Sequence, residues 1–414
     1  MKPTRLGFTL LWTACASAAA CGGEIWLPGG EEVKQAVEAR RGKTELSKLA
    51  ASMKPGDVVE LKTRMPEKDI VIERDDWPGH KVVIRKSLFS SPLLDGGRNK
   101  GGSGGLHIAG WTDDAHWDSR TGQFFYMGLR QTRRFIAYSE EQNAWRSIVL
   151  DPRSDNPCAF TRFGHIYSSN GFDHERGRFY HRYNGFSNKK YGLDLKGGIS
   201  FFDVAAEKWT KLPPKPEGLG GGQAIEYFGA MDGLISLGRK PGFYSTARGK
   251  WEPMGESPVS GYHSLIRHNP YRREILMAGG NHNPRVVARI TKEGKIKRLK
   301  DAPVTISVGS DKLMVDPLSG RYLFWAGNKG EKKKLYEFDS DRNEYRAVEG
   351  FKYPYGRYSM PVMAFIPEYG VIMWAERKVF LYKHDATAKH PVAAGSAPGA
   401  GGGAAAANKP AEGR

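Results

Sequence analysis

The chain has 414 residues, with 63 Lys and Arg against 45 Asp and Glu, a formal charge of +18 and 51 glycines. An aromatic share of 11% excludes a wholly disordered chain, because that many rings can build a core. The glycines keep no three-residue period, which excludes collagen, and Gly and Pro punctuate nearly every stretch, which excludes a coiled coil.

In chain order, residues 1–20 read as an export signal. Lys2 and Arg5 precede an apolar stretch with Phe8, Leu10, Leu11 and Trp12, and the small residues Ala16 to Ala20 follow. The expectation is an exported protein, periplasmic or extracellular, with no transmembrane segment in the mature chain. The longest apolar run falls short of the ~20 residues that a span needs. Cys21 after Ala20 raises a lipid anchor, but Ala18 stands where a lipid box wants Leu or a similar residue. With Cys15, Cys21 and Cys158 as its cysteines, the chain has no disulfide framework.

Residues 21–54 form an N-terminal helical or linker segment, with Val33, Val37, Leu46, Leu49, Ala50 and Met53 at helical spacing. A β-rich region follows over 55–385. Val82 to Ile84 read as one extra strand and 87–105 as a glycine-rich loop. Residues 386–414 are Ala, Gly and Pro with a few charges; they bury too little apolar surface to offset their ordering entropy and are expected to be disordered.

A repeat organises the middle. Tight turns begin at Asp118, Asp173, Gly229, Asn269, Asp316 and Ile366, at steps of 55, 56, 40, 47 and 50 residues. Asx, Pro and Gly at these places are turn chemistry: Pro presets φ, Asx bonds nearby backbone, and Gly takes positive φ. Strand-like runs follow each turn. An aromatic pair spaced by 7 recurs as Tyr138 and Trp145, Phe202 and Trp209, Tyr244 and Trp251, and Phe338 and Tyr345, so one hairpin is repeated and its aromatics read as core. Four strands per repeat of about 50 residues is the pattern of a β-propeller blade.

Six turns give an all-β, single six-bladed propeller over about 105–385. The sixth repeat ends at KVFLYKH without an outer strand, and the segment 56–62 is expected to supply it and protect the open edge. The Gly279–Gly280 pair, the weaker Ala326–Gly327 pair and the Tyr/Phe to Trp spacing make the chain resemble a divergent kelch propeller, of the superfamily that includes the central domain of galactose oxidase.

If all inner strands run the same way, their starts gather on one mouth of the channel. Six residues before each turn stand Thr112, Tyr167, Gln223, His263, Ser310 and Met360, with Asp113, Asp114, His116, His165, Tyr262, Asp311, Arg357 and Tyr358 nearby. Tyr262, His263, His165, Tyr167, Arg357, Tyr358, Asp114, His116 and Gln223 are therefore the candidate ligand-binding residues, since ligands bind where a scaffold converges polar side chains. Catalytic residues cannot be assigned from a motif. His174, His181, His268 and His282 read as surface or packing residues.

Tyr262-His263-Ser264 followed by Gly279–Gly280 resembles a stretch of the galactose oxidase family, where a Tyr-His pair opening a blade ligates copper. That resemblance would imply a copper oxidase. This chain departs from it: no tyrosine matches Cys158 in register one blade on, where Phe201 and Phe202 sit, and the carboxy-terminal domain that gives the second histidine is missing. His116, His165 and His263 form the weak set for a divalent metal, without tight ligand spacing. The same residue types suit another chemistry. A His or Tyr takes a proton α to a carboxylate while an Arg holds the acid, the style of propeller-fold polysaccharide lyases. Sialidase Asp boxes are absent.

The positive charge, of which the leader holds only Lys2 and Arg5, favours acidic partners. Export argues against nucleic acid and for an anionic polysaccharide or envelope component. Two readings follow: a monomeric module binding such a ligand at the mouth, or a glycan-active enzyme using the His and Tyr ring.

Overall fold

The computed structural model describes residues 27–64, 70–73, 81–84, 115–128, 134–148, 167–183, 186–188, 193–195, 198–220, 224–259, 262–307, 311–328, 330–355, 361–376 and 378–388. The expectations for the leader, Cys21, the loop 87–105 and the tail beyond 388 lie outside these residues. Among the described residues no helix is long and apolar enough to cross a membrane.

Six four-stranded antiparallel sheets make the six blades of a propeller. Blade one runs outward through His116–Asp118, Gln123–Gly128, Arg134–Ser139 and Ala144–Ile148. Blades two to five repeat this, their inner strands being Asn170–Asp173, Ile225–Phe228, Leu265–Asn269 and Lys312–Val315. Blade six has Val362–Ile366, Val371–Ala375 and Val379–Tyr382 from its own repeat. Its outer strand is Val58–Leu61, antiparallel to Val379–Tyr382 with Val58 opposite Tyr382. The N-terminal segment thus closes the ring. Two extra hairpins, Ile70–Glu73 with Lys81–Ile84 and Phe186–Asn188 with Leu193–Leu195, stand outside the blades.

The turn chemistry appears as read. The Asp118 carboxylate accepts from Arg120 N and the Thr121 hydroxyl, Asp173 from Glu175 N and Arg176 N, Asn269 from Tyr271 N and Arg272 N, and Asp316 from Leu318 N and Ser319 N. The spacing of 7 is a register. Tyr138 stands opposite Trp145, Phe202 opposite Trp209, Tyr244 opposite Trp251 and Phe338 opposite Tyr345, with ring centroids 5.3, 5.5, 5.3 and 4.2 Å apart. Such direct cross-strand pairs are the stabilising unit of a sheet. Trp145 and Trp209 are buried. Trp251 is half-buried, its indole N–H donating to the Pro213 carbonyl at 3.1 Å, so it is a weaker core residue than its spacing implies.

The core is six apolar seams between neighbouring blades. The seam of blades six and one also takes in the helical prefix. Helix α1 (Gly30–Arg40) buries Val33 and Val37, and α2 (Glu45–Ser52) buries Leu46 and Ala50, the last two packing with Trp117, Trp145 and Val371. Thr44 caps α2 by accepting from Ser47 N at 3.1 Å. Arg40 clamps this seam. Its guanidinium donates to Glu140 at 3.0 Å, and Glu140 also accepts from Thr44 at 2.6 Å and Tyr369 at 2.7 Å. Prefix and last blade are thereby tied to blade one.

Candidate functional site

All inner strands enter at one mouth and leave at the turn face. Of the sequence candidates, Tyr167, Tyr262, His263 and His116 are described; Asp114, His165, Gln223, Arg357 and Tyr358 lie outside the described residues, as do Thr112, Asp113, Ser310 and Met360.

Tyr167, from blade two, and His263, from blade four, meet over the mouth. The Tyr167 hydroxyl lies 2.6 Å from His263 Nε2, and His263 Nδ1 lies 2.7 Å from Asn281 Oδ1. An amide oxygen only accepts, so Nδ1 carries the ring proton and Nε2 accepts the phenol O–H. Tyr262 completes the group. Its ring stands edge-on to Tyr167 at 5.5 Å and lies 4.1 Å from the His263 ring. Tyr167 packs into the seam of blades four and five, so its side chain spans the mouth from blade two.

The backbone singles out the same two residues. Among the described residues, seven non-glycines have positive φ. Asn143, Glu207, Asp232, Arg273 and Asn343 are hairpin-turn residues, at positions where other blades use Gly122, Gly177, Gly249 and Gly320. The other two are Tyr167 at 39° and His263 at 70°. A bulky side chain held there costs of order 1–3 kcal/mol and persists only where its surroundings impose it. The glycine pair is part of what imposes it. Gly280 has φ 106°, and a Cβ there would lie 2.5 Å from Ser264 Oγ and 3.2 Å from the Tyr262 carbonyl. Its neighbour Asn281 donates its N–H to that carbonyl at 3.0 Å. The Tyr-His-Ser and Gly-Gly features noted in the sequence are thus two halves of one contact.

His116 stands deeper than the mouth, two residues before its turn. It packs against Phe172 and Phe179 at 6.1 and 6.0 Å, and its Nε2 is buried with no hydrogen-bond partner. Burial, and then Arg267 and His174, hold its pKa well below the usual histidine value. Arg267 from blade four reaches across the channel to within 3.5 Å of the Ala115 carbonyl of blade one, with Glu226 Oε2 at 3.9 Å. Burial pushes Glu226 up to about 7 against the pull of Arg267. His174 and His268 join this cluster. Burial, reinforced by Arg267 and by His174 respectively, takes both down to about 3. Neither stands out in the sequence as a channel residue; their position next to the turn, one residue beyond or before Asx, is the available signal. Asp311 is committed elsewhere, accepting from Ser307 N and the Lys333 ammonium, each at 2.7 Å.

For a metal, His263 fits poorly, because both its ring nitrogens are engaged by Asn281 and Tyr167. Among the described residues no three His, Cys, Asp or Glu side chains gather as a metal site.

The sequence matches no protein-family model and no curated protein. Among solved structures, a structural genomics protein of unknown function from Bacteroides thetaiotaomicron is similar over 79% of this chain and 90% of that chain, at 13% identity and a TM-score of 0.48.

Proposed function

We propose that this chain is an exported, kelch-like propeller that binds an acidic polysaccharide or envelope component at the mouth formed by the inner-strand starts. The observation that carries this reading is the Tyr167–His263–Asn281 hydrogen-bonded chain, with Tyr167 and His263 held in left-handed backbone where the fold needs neither residue. The charge of +18 supports an acidic ligand, since a field of one sign raises the local concentration of its opposite. The test is titration of a panel of acidic polysaccharides against the wild type, Tyr167→Phe and His263→Ala. Loss of affinity in both variants, with folding intact, is expected. Unchanged affinity for every polysaccharide that the wild type binds would place the site elsewhere.

One observation favours a second reading, a lyase. The Tyr167 phenol donates to an imidazole that Asn281 fixes in the accepting tautomer. A phenol so held can pass its proton to His263 and take one α to a uronate carboxylate. The C–H bond would break, the carbon–carbon double bond would form, and the glycosidic C–O bond would break with its electron pair going to the leaving oxygen, which takes up the proton held on His263. Ultraviolet absorbance of the unsaturated product, lost in Tyr167→Phe, separates this from binding alone.

A further inference from the structure

Several partly buried arginines among the described residues face carboxylates. Arg40 faces Glu140, Arg272 faces Asp339, Arg289 faces Glu274 and Arg321 faces Glu337. Arg182 has no such carboxylate among those residues. It sits on the second strand of blade two, near the mouth, its backbone N–H bonded to the Ser169 carbonyl at 2.9 Å. Ser169 lies two residues beyond Tyr167. Strand alternation turns Arg182 to the face of Tyr180, the seam of blades two and three. Its Nη1 is shut from solvent with no hydrogen-bond partner, and among the described residues no carboxylate pairs with it.

A second cation lies alongside. Lys215, on the connection from blade two to blade three, donates to the Gly220 carbonyl and, at 3.1 Å, to Ser236 Oγ. Ser236 is opposite Ile225, whose N–H bonds the Ser168 carbonyl at 2.8 Å, so Lys215 and Arg182 flank the same few residues. Gly220, φ 51°, holds the connection against blade three, where a Cβ would come within 2.4 Å of Ser236 Oγ. Burial pushes Arg182 down to about 10; burial and then Arg182 push Lys215 down to about 7. Each residue keeps part of its surface exposed, although Arg182 Nη1 itself is closed off. A guanidinium nitrogen shut from water without a partner is costly, and Arg forms bidentate bonds with planar carboxylates and with oxyanions.

We infer that Arg182 and Lys215 form an oxyanion subsite at the mouth end of the seam of blades two and three, built to take the carboxylate or sulfate group of the bound ligand. As to the source of that anion, it rests on the acidic-glycan reading above; the subsite itself does not. The experiment titrates glucuronate, glucose 6-sulfate, inorganic sulfate and the neutral sugar glucose against wild type, Arg182→Met and Lys215→Met, alongside the acidic polysaccharide panel. The expected result is binding of glucuronate or sulfated sugar, no binding of glucose, and at least a tenfold loss of affinity in each variant. Thermal stability of Arg182→Met without ligand should equal or exceed that of the wild type, because an uncompensated charge is removed; a purely structural arginine would lower it. Binding of small anions that Arg182→Met and Lys215→Met retain, binding of no small anion by the wild type, or a destabilised Arg182→Met, would each overturn the subsite. If small anions bind through these residues and no acidic polysaccharide does, the subsite holds and the glycan reading fails. Polysaccharide affinity unchanged in both variants would leave the glycan reading and remove the subsite.

Discussion

On the turn face, Asp118, Asp173, Asn269 and Asp316 each accept from backbone N–H groups that follow them, and one buried network there is closed. His384 lies 2.8 Å from the Tyr382 hydroxyl and 2.9 Å from Glu337, which in turn meets Arg321 at 2.9 Å. At the mouth the pattern differs. Tyr167 and His263 are held in left-handed backbone, and Arg182 keeps a guanidinium nitrogen shut from solvent with no partner. Both ends come from the same strands, so the fold alone does not explain the contrast. Satisfied polar groups stabilise, while strained or unpaired ones lower stability and are retained where something else uses them. Changes on the turn face and its seam should therefore cost stability, and changes at the mouth should cost binding.

The largest effects are expected at the closing seam. Glu140→Ala removes a buried carboxylate shared by Arg40, Thr44 and Tyr369 and should cost roughly 3–5 kcal/mol, the range for breaking a buried pair. Trp145→Ala should cost about the same, as a large-to-small core change, in denaturant melts. Trp251→Ala, half-buried in the equivalent place, should cost about half as much. Equal losses at both tryptophans would show that blade three relies on its outer hairpin as fully as blade one does.

A pH series sharpens the comparison within the channel. His174 and His268 stay neutral in the folded chain down to about 3, whereas the unfolded chain takes up protons near the ordinary 6.5. Their contribution is therefore present above 6.5 and is lost as pH falls toward 3. Glu226 and, at the closing seam, Glu368, which accepts from the Trp117 indole and the Ser119 hydroxyl at 2.8 Å each, are raised by burial to about 7 and act in the opposite sense: folded carboxyls keep their protons between the ordinary 4.5 and 7, so stability is lost as pH rises through that window. His174→Gln with His268→Gln should flatten the acid limb of Tm against pH. Glu368→Gln should gain on the wild type from about 4.5 to about 7. An acid limb of unchanged steepness in the histidine variant would mean that other groups control it.

The smallest stability effect is expected at the mouth. His263→Gly removes a ring but releases backbone strain worth of order 1 kcal/mol, so its melting curve should stay close to that of the wild type while polysaccharide binding is lost. A large loss of stability instead would class His263 with the seam residues.

The repeat was legible in the sequence because blade architecture is local. Asx turns, a hairpin that sets Tyr138 opposite Trp145, and a sixth repeat short of one strand are statements about residues a few positions apart, and they fixed the number of blades and the need for closure by 56–62. Tyr167 and His263 could be put on one mouth for the same reason, since both stand six residues before a turn. Their bond could not be read, because 96 residues separate them and only closure of the ring brings blades two and four to face each other. The channel cluster of Arg267, Glu226, His116, His174 and His268 was hidden likewise, each member belonging to a different repeat or register. Arg182 is the clearest case. In the sequence it is one of 63 basic residues, and only the packing of blade two on blade three, which shuts its Nη1 from water without offering a carboxylate, sets it apart.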